Sequence, residues 1–421
     1  VADPDLSAAK LERKVTFVSL SPRHGRKFRF HPFRIQYNVH EHLYVSSAHQ
    51  LGRIVATLTL IAEPFPDWES RVHAVAARDL ARAIADTAPR SCSARFLLAK
   101  GSADPGLTSA LIRTEYLPFR ANMLPLMWQN GTTARPLDGE FVHALTPLVP
   151  LRSRGEDDGS QTSVTITHSI AWDAPGILGS SQARLSRAYT RRAVRLADVL
   201  LTPTHATARV LQEHYGSDLP VQVIQLAPPA EYLRPDDALE RRGALGVPDH
   251  YALTTATTGS HGRLEWIFDA LRADPALPTV VVLAGIDPAV EGPTEASVAI
   301  PADLQHRVLV VQPRDLTDVG AVLTSASLLL QPQDFVGTGY TLLGALSGAV
   351  PVLHSGHPAA DEIVLEAGLG ATSAGEFAAE FSRLFRDPNS LTRLAVLARD
   401  RSRGFSWHGA AWQLWETHAN L

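Results

Sequence analysis

Short β-branched and apolar runs alternate with helix-length stretches along most of this chain, and the alternation runs through two successive series. The first reads as strands at 14–20, 95–98, 141–145, 164–168 and 199–202, with helices at 68–88 and 183–197. After Gly216 the pattern restarts, with strands at 221–226, 252–257, 280–284, 308–311, 328–331 and 351–354. Helices at 264–271, 318–325, 340–347 and 359–367 lie between them. Strands separated by helices of this length pair in parallel and put the helices on the sheet faces. Two series therefore predict an α/β fold with two doubly wound, Rossmann-like sheets. Ligands then belong at the carboxyl ends of the strands and between the sheets. The Pro-rich break Ala227-Pro-Pro-Ala230 marks the join. Residues 1–220 are read as one domain, 221–404 as the next and 405–421 as a closing helix.

Composition supports this size of fold and narrows what the chain does. A length of 421 residues with 45% apolar content suits two cores rather than one. A net charge of -4 supplies no overall attraction to nucleic acid, so any anion site must be local. The single cysteine, Cys92, excludes an internal disulfide and a cysteine zinc site, and suits a reducing compartment. The polar, mixed-charge start carries no secretory signal pattern, and no apolar run approaches a membrane span. A cytoplasmic protein is expected, with at most peripheral contact at the inner face of a membrane. Lysine occurs only at Lys10, Lys14, Lys27 and Lys100, so none stands beyond residue 100 to hold a phosphate.

Three stretches carry candidate chemistry. The segment 331–354 ends a strand, turns through Gly337, Thr338 and Gly339, opens a helix at Tyr340 and Thr341, and returns to a strand. Its glycines allow close backbone approach to a ligand, and Thr338 is a hydroxyl donor. A second turn, with Gly259, His261, Gly262 and Arg263, precedes the helix at 264–271. Its backbone and the helix N-terminus can cradle an anion, and Arg263 can offer a guanidinium fork. The third stretch places Arg23, Arg26, Lys27 and Arg29 among Phe28, Phe30 and Phe33 after the first predicted strand. Such a patch suits a phosphorylated or lipid-linked acceptor or a membrane surface, and a solvated loop fits it equally. Near the C-terminus, Ser406 is a candidate helix cap, with Trp407, Trp412 and Trp415 giving the last helix an apolar face.

These residues bring out a family resemblance covering roughly 139–421. The strand end with His168 and Ser169, the Arg-rich helix ending at Ala197-Asp198, and Thr204 to Thr207 look like the N-domain signature of GT-B glycosyltransferases. The likeness is to the glycogen-phosphorylase-like retaining enzymes of family 4. The run from Pro351 to Leu369 follows the same pattern, and Phe405-Ser-Trp407 resembles the start of the family's last helix, which crosses back onto the N-domain. The resemblance implies an acceptor domain at 1–220 and a nucleotide-sugar domain at 221–404. It implies a hexosyltransferase that takes a UDP- or GDP-linked sugar as donor substrate, with no bound cofactor and no metal. The implied acceptor is a polysaccharide or lipid-linked glycan of the cell envelope.

Family members steady the leaving diphosphate with an Arg and Lys pair and contact the sugar and ribose through two glutamates on the glycine-rich loop and its helix. Cations stabilise leaving-group charge, and carboxylates accept from sugar hydroxyls. In this chain His261 and Gly262 stand at the Arg and Lys positions, with Arg263 one residue on. Val336 and Gly344 stand where the glutamates would be. Asp334 is the nearest acid able to restore a site carboxylate, and Tyr340 or Thr341 the nearest replacement at the ribose. The resemblance places His168 opposite the donor sugar, and makes Thr204 either a site hydroxyl or a helix cap and Glu362 structural. Two readings stay open: an active glycosyltransferase using His168 and Asp334, or a degenerate one that binds sugar or nucleotide or stabilises a partner glycosyltransferase subunit.

Overall fold

A computed structural model describes residues 56–67, 69–129, 141–151, 159–257, 260–285 and 298–421. Among the described residues the strands are β1 (Ala56–Ile61), β2 (Cys92–Leu98), β3 (Ile112–Tyr116), β4 (Phe141–Ala144), β5 (Gln161–Thr165), β6 (Val199–Thr202) and β7 (Val221–Val223), followed by β8 (Tyr251–Thr255), β9 (Thr279–Leu283), β10 (Val308–Val311), β11 (Leu328–Gln331), β12 (Val352–His354) and β13 (Gly368–Gly370). They form two sheets, ordered β3-β2-β1-β4-β5-β6-β7 and β10-β9-β8-β11-β12-β13. Every pairing is parallel. The central strands are near-continuous apolar runs, such as Leu328 to Leu330 and Val280 to Leu283, because helices cover both faces of a parallel sheet.

In each sheet the strand order reverses once, between β1 and β4 and between β8 and β11. Chains leaving neighbouring strands there diverge to opposite faces and open a crevice at the carboxyl ends. The two crevices receive, respectively, the segment after β1 that leads into the helix Ser70–Asp86, and the glycine-rich turn after β11 that leads into the helix Tyr340–Ser347.

The helix Trp407–Asn420 returns to the first sheet, as the resemblance implied. Ser406 caps it by accepting from Gly409 N–H at 3.0 Å. Trp415 is 5% exposed and donates from Nε1 to Ile84 O at 3.1 Å. Burying a ring of this kind contributes on the order of 3 kcal/mol. Trp412, by contrast, is 57% exposed, so the expected three-tryptophan face is carried by Trp407 and Trp415 alone. Trp407 donates to Pro228 O at 3.0 Å and so ties this helix to the connection between the sheets. Beneath it, Ser163 Oγ lies 2.9 Å from both His143 Nδ1 and His418 Nε2. Burial pushes these rings down to about 3 and about 4, so both are neutral hydrogen-bonding groups at neutral pH.

The predicted helices are present, with one refinement. The segment Pro175–Leu196 is broken at Gly179, whose backbone is left-handed at φ 71°, so the predicted stretch 183–197 starts after the break. The sequence reading missed three strands. β1 is a short buried run, which periodicity alone does not separate from a helix segment. β3 is a polar edge strand with Arg113 and Glu115. β13 is the edge tripeptide Gly368–Gly370, where a Cβ on Gly368 would meet Val352 O at 2.3 Å, so only glycine lets the backbones pair. The predicted strand at 14–20 lies outside the described residues.

Candidate functional site

A cavity of about 130 Å³ stands where the two crevices meet. Its floor is the carboxyl ends of β8, β9 and β11, with Thr255, Thr257, Gly285, Gln331 and Gln333. The turn from Phe335 to Gly339 and the first residues of its helix, Tyr340 and Thr341, form one wall. Glu69 from the first sheet's crevice and Tyr232 from the connection form the other.

The turn is held open by glycine and fixed from across the cleft. Gly339 adopts a left-handed conformation (φ 91°, ψ 8°) at the N-cap of the helix Tyr340–Ser347, which a side chain would resist. Thr338 is buried, and its N–H donates to both oxygens of Glu69, at 3.2 and 3.0 Å. Its hydroxyl donates to Oε2 at 2.7 Å. A Cβ on Gly337 would lie 2.5 Å from Glu69 Oε1, so glycine there is what lets the carboxylate dock. A negative group at a helix N-terminus is favourable by about 0.3–1 kcal/mol even at the surface. The acid missing from the turn itself thus arrives from the other sheet.

Glu69 belongs to a buried cluster. Asp67 Oδ1 accepts from Glu69 N–H at 2.9 Å, and Asp67 Oδ2 lies 3.6 Å from His168 Nε2. One turn along the helix, His73 Nε2 is 3.7 Å from Glu69 Oε2, and its Nδ1 lies 3.4 Å from the Tyr340 hydroxyl. The His73 and Tyr340 rings meet edge to face, with centroids 5.5 Å apart. Burial pulls on both histidines, and their neighbours separate them. At His168 burial lowers the pKa, but Asp67, with the charge of Glu69, outweighs it and holds the ring above its ordinary value. At His73 burial prevails over Glu69 and Asp67, and the ring sits below its ordinary value. The two rings are therefore driven in opposite directions, His168 toward its protonated form and His73 toward its neutral one. Burial, with the charges of Glu69 and Asp79, raises the Tyr340 hydroxyl far above its usual range, so it stays protonated.

The second cluster is entirely in the C-terminal half. Asp334 pairs with His261 Nδ1 at 2.9 Å and with Arg263 Nη2 at 3.2 Å. All three side chains are roughly one third exposed. Arg263 holds a left-handed backbone (φ 48°, ψ 32°) at the start of the helix Leu264–Ala273, and its guanidinium lies 4.8 Å from the centroid of the Trp266 ring. Such a conformation costs a non-glycine residue about 1–3 kcal/mol, and retained strain of this kind concentrates at functional sites. A Cβ on Gly262 would meet Thr257 O at 2.6 Å, so the turn has no room for a side chain where the resemblance expects lysine.

The structure divides the sequence candidates between the clusters. Thr338 and Tyr340 stand with His168, while His261 and Arg263 stand with Asp334. Gly337, Gly339, Tyr340 and Thr341 line the cavity and Asp334 does not. Gly259 and the basic residues Arg23, Arg26, Lys27 and Arg29 lie outside the described residues. Of the two lost acid positions, Val336 is buried but borders the cavity, whereas Gly344 is packed shut: a Cβ there would meet Leu323 Cδ2 at 2.6 Å and Tyr232 Cβ at 3.3 Å. Tyr232 and Leu323 thus occupy the space a glutamate at 344 would need. Thr204 caps the helix His205–Tyr215, accepting from Thr207 N–H at 3.1 Å. Glu362 reaches across to the same helix start, accepting from His205 N–H at 2.8 Å and Ala206 N–H at 3.1 Å, a structural bridge between the halves.

Sequence reasoning missed Asp67, Glu69 and His73. The available signal was positional: Asp67, Glu69 and His73 follow closely on the short apolar run at 56–62, once that run is read as a strand.

No protein-family model and no curated protein matches the sequence. Solved structures do match in fold. Sucrose-phosphate synthase from Thermosynechococcus elongatus superposes with a TM-score of 0.67 at 17% identity, covering 87% of this chain and 98% of that one. HepE from Anabaena, in complex with UDP-glucose, gives 0.61 at 15% identity, covering 87% of this chain and 100% of its own. WaaG, described as a glycosyltransferase involved in lipopolysaccharide biosynthesis, gives 0.57 at 17% identity over 85% of this chain and 98% of its own. The chain has the two-sheet GT-B fold.

Proposed function

We propose that this chain is a glycosyltransferase that moves a hexose from a nucleotide diphosphate sugar to an acceptor hydroxyl. The observation that carries the reading is the cavity at the joined switch points, walled by a glycine-rich turn that opens a helix and by Glu69 from the opposite sheet. Transfer breaks the bond from the anomeric carbon to phosphate oxygen, forms one to the acceptor oxygen, and passes the acceptor's hydroxyl proton to the departing diphosphate, which carries the negative charge of the broken bond. In this reading Arg263 and His261 exchange Asp334 for that diphosphate, and the turn at Gly337, Thr338 and Gly339 walls the adjoining cavity that takes the sugar. His168, favoured in its protonated form by Asp67, keeps the site role expected of it but lies outside the cavity lining and is joined to it through Asp67 and Glu69. No metal is assigned a role. HepE, alike in fold, is described in complex with UDP-glucose, which supports a UDP-linked donor over a GDP-linked one.

The expected domain boundary at 220/221 is corrected: β7 (Val221–Val223) pairs with β6 in the first sheet, so the first domain runs past that strand to the Pro-rich connection at 227–230. A division into an acceptor domain, a nucleotide-sugar domain and a crossing helix at 405–421 is part of the same proposal. So is a polysaccharide or lipid-linked acceptor in cell-envelope synthesis, for which the description of WaaG is the support. Among the described residues no helix is long and apolar enough to cross a membrane. A cytoplasmic enzyme with peripheral membrane contact is the location proposed. A second reading, a protein that binds nucleotide sugar without transfer or stabilises a partner glycosyltransferase, is favoured by the pairing of Arg263 with Asp334 and by the closed space at Gly344. Calorimetric titration with UDP- and GDP-sugars, followed by assays for hydrolysis and transfer, decides between them. Binding with turnover establishes the enzyme, binding without it the second reading, and no nucleotide binding refutes both donor-binding readings.

A further inference from the structure

Inside the cavity the chemistry is one-sided. Among the described residues that line it there is no Lys, Arg or His, and its one charged group is Glu69. Glu69 spends part of its acceptor capacity on Thr338, yet a carboxylate offers about four lone-pair sites and its side chain still borders the cavity. On the floor Gln333 is 1% exposed. Its amide group is oriented by donation to Thr255 O at 3.0 Å, and among the described residues its buried Oε1 accepts no hydrogen bond. A buried acceptor left without a donor costs about 1–3 kcal/mol, so its position against a cavity calls for a donor from a ligand. Two acceptors facing one space with no cation between them disfavour phosphate and favour an uncharged group rich in hydroxyls.

We propose that Glu69 and Gln333 are the specificity-determining acceptor pair of this site, recognising the hydroxyl groups of the ligand's sugar. This rests on the nucleotide-sugar reading above and deepens it. It places sugar hydroxyls between the two sheets and leaves the diphosphate to the Arg263 side. It also gives the turn at 336–344 a reason to do without its own acids, since the carboxylate is delivered by the segment after β1. Gln333 orients by its amide, and Glu69 discriminates by charge-assisted acceptance, the stronger of the two kinds of bond.

The test is titration of the full chain with UDP, GDP, UDP-glucose and GDP-mannose, carrying forward the nucleotide and nucleotide sugar of the better-bound base. Glu69→Gln is expected to weaken nucleotide-sugar binding about tenfold while nucleoside diphosphate affinity stays within about twofold, a single charge-assisted bond being worth that factor. Gln333→Met is expected to act the same way, and if that variant does not fold, Glu69→Gln carries the test alone. Equal weakening of both ligands makes Glu69 a prop for the turn and overturns the assignment. Tighter diphosphate binding in Glu69→Gln makes it a competitor for the phosphate position and also overturns it. Wild-type protein that binds none of the four ligands refutes the donor reading itself, an outcome distinct from either.

Discussion

The two charged clusters beside the turn at 332–339 are built from the same kinds of group and differ in where the chain puts them. Asp334, His261 and Arg263 come from loops of one sheet and keep about a third of their surface in water. Asp67, Glu69, His73 and His168 come from the other sheet, and Asp67, His73 and His168 are almost fully enclosed. Exposed pairs are cheap to make and cheap to break, because water replaces the lost partner. Enclosed ones cost much to assemble and more to leave half-assembled. The first cluster can therefore release its arginine to a ligand, whereas the second is fixed architecture that sets protonation and carries an acid into the cavity.

The comparison breaks most easily at Asp67. Asp67→Ala leaves His168 buried without its counter-charge and removes the acceptor for Glu69 N–H, so a loss of about 3–5 kcal/mol is expected in urea unfolding. A loss under about 1 kcal/mol would put this cluster in the same class as the exposed one. Gly344→Glu should cost about 1–3 kcal/mol by overpacking against Leu323 and Tyr232, read as a lower melting temperature. An unchanged melting temperature would show that the space beside Tyr232 yields.

The pH dependence gives a finer distinction. His168 has a folded pKa above its unfolded value, so the native state binds the extra proton and its support is complete below about pH 6.5. That support is lost as pH rises through the folded value. Stability measured between pH 6 and 8 should therefore fall on the alkaline side, and Asp67→Asn should flatten that slope, because burial is then opposed chiefly by the charge of Glu69. His73, shifted the other way, contributes a loss on the acid side that Asp67→Asn does not abolish. The smallest stability effect is expected at the exposed cluster. Asp334→Ala should change stability by only about 0–1 kcal/mol. Through the freed guanidinium it should raise diphosphate affinity in titration. Loss of affinity instead would restore Asp334 to a direct ligand role.

Legibility followed burial and locality. The alternation of apolar runs and helices foretold both sheets, and β6, β10 and β11 begin and end where their apolar runs do. The turn after β11 was readable because its glycines, its helix start and the strand at Val352 to His354 follow one another in sequence. The pairing of His261 and Arg263 with Asp334 was not, since it joins residues 73 and 71 positions apart. Glu69 on Thr338 spans 269 positions and two sheets, and no local pattern encodes it. The empty acid positions at Val336 and Gly344 were visible, but what filled them was a matter of packing.

The close fit of Tyr232 and Leu323 around Gly344 also bears on how such a protein can change. An acid introduced at 344 first overpacks against Leu323 and Tyr232, and a smaller residue introduced first at 232 or 323 opens a cavity in the core at a cost of about 2–5 kcal/mol. Every single step toward a two-glutamate site thus passes through a less stable protein. Exchanges at Glu69 and Gln333 change cavity-lining groups without refilling the core, and what they lose is the hydrogen bonding to Thr338 and Thr255. Variation in what this cleft accepts is accordingly more accessible through those two positions than through the helix that carries Gly344.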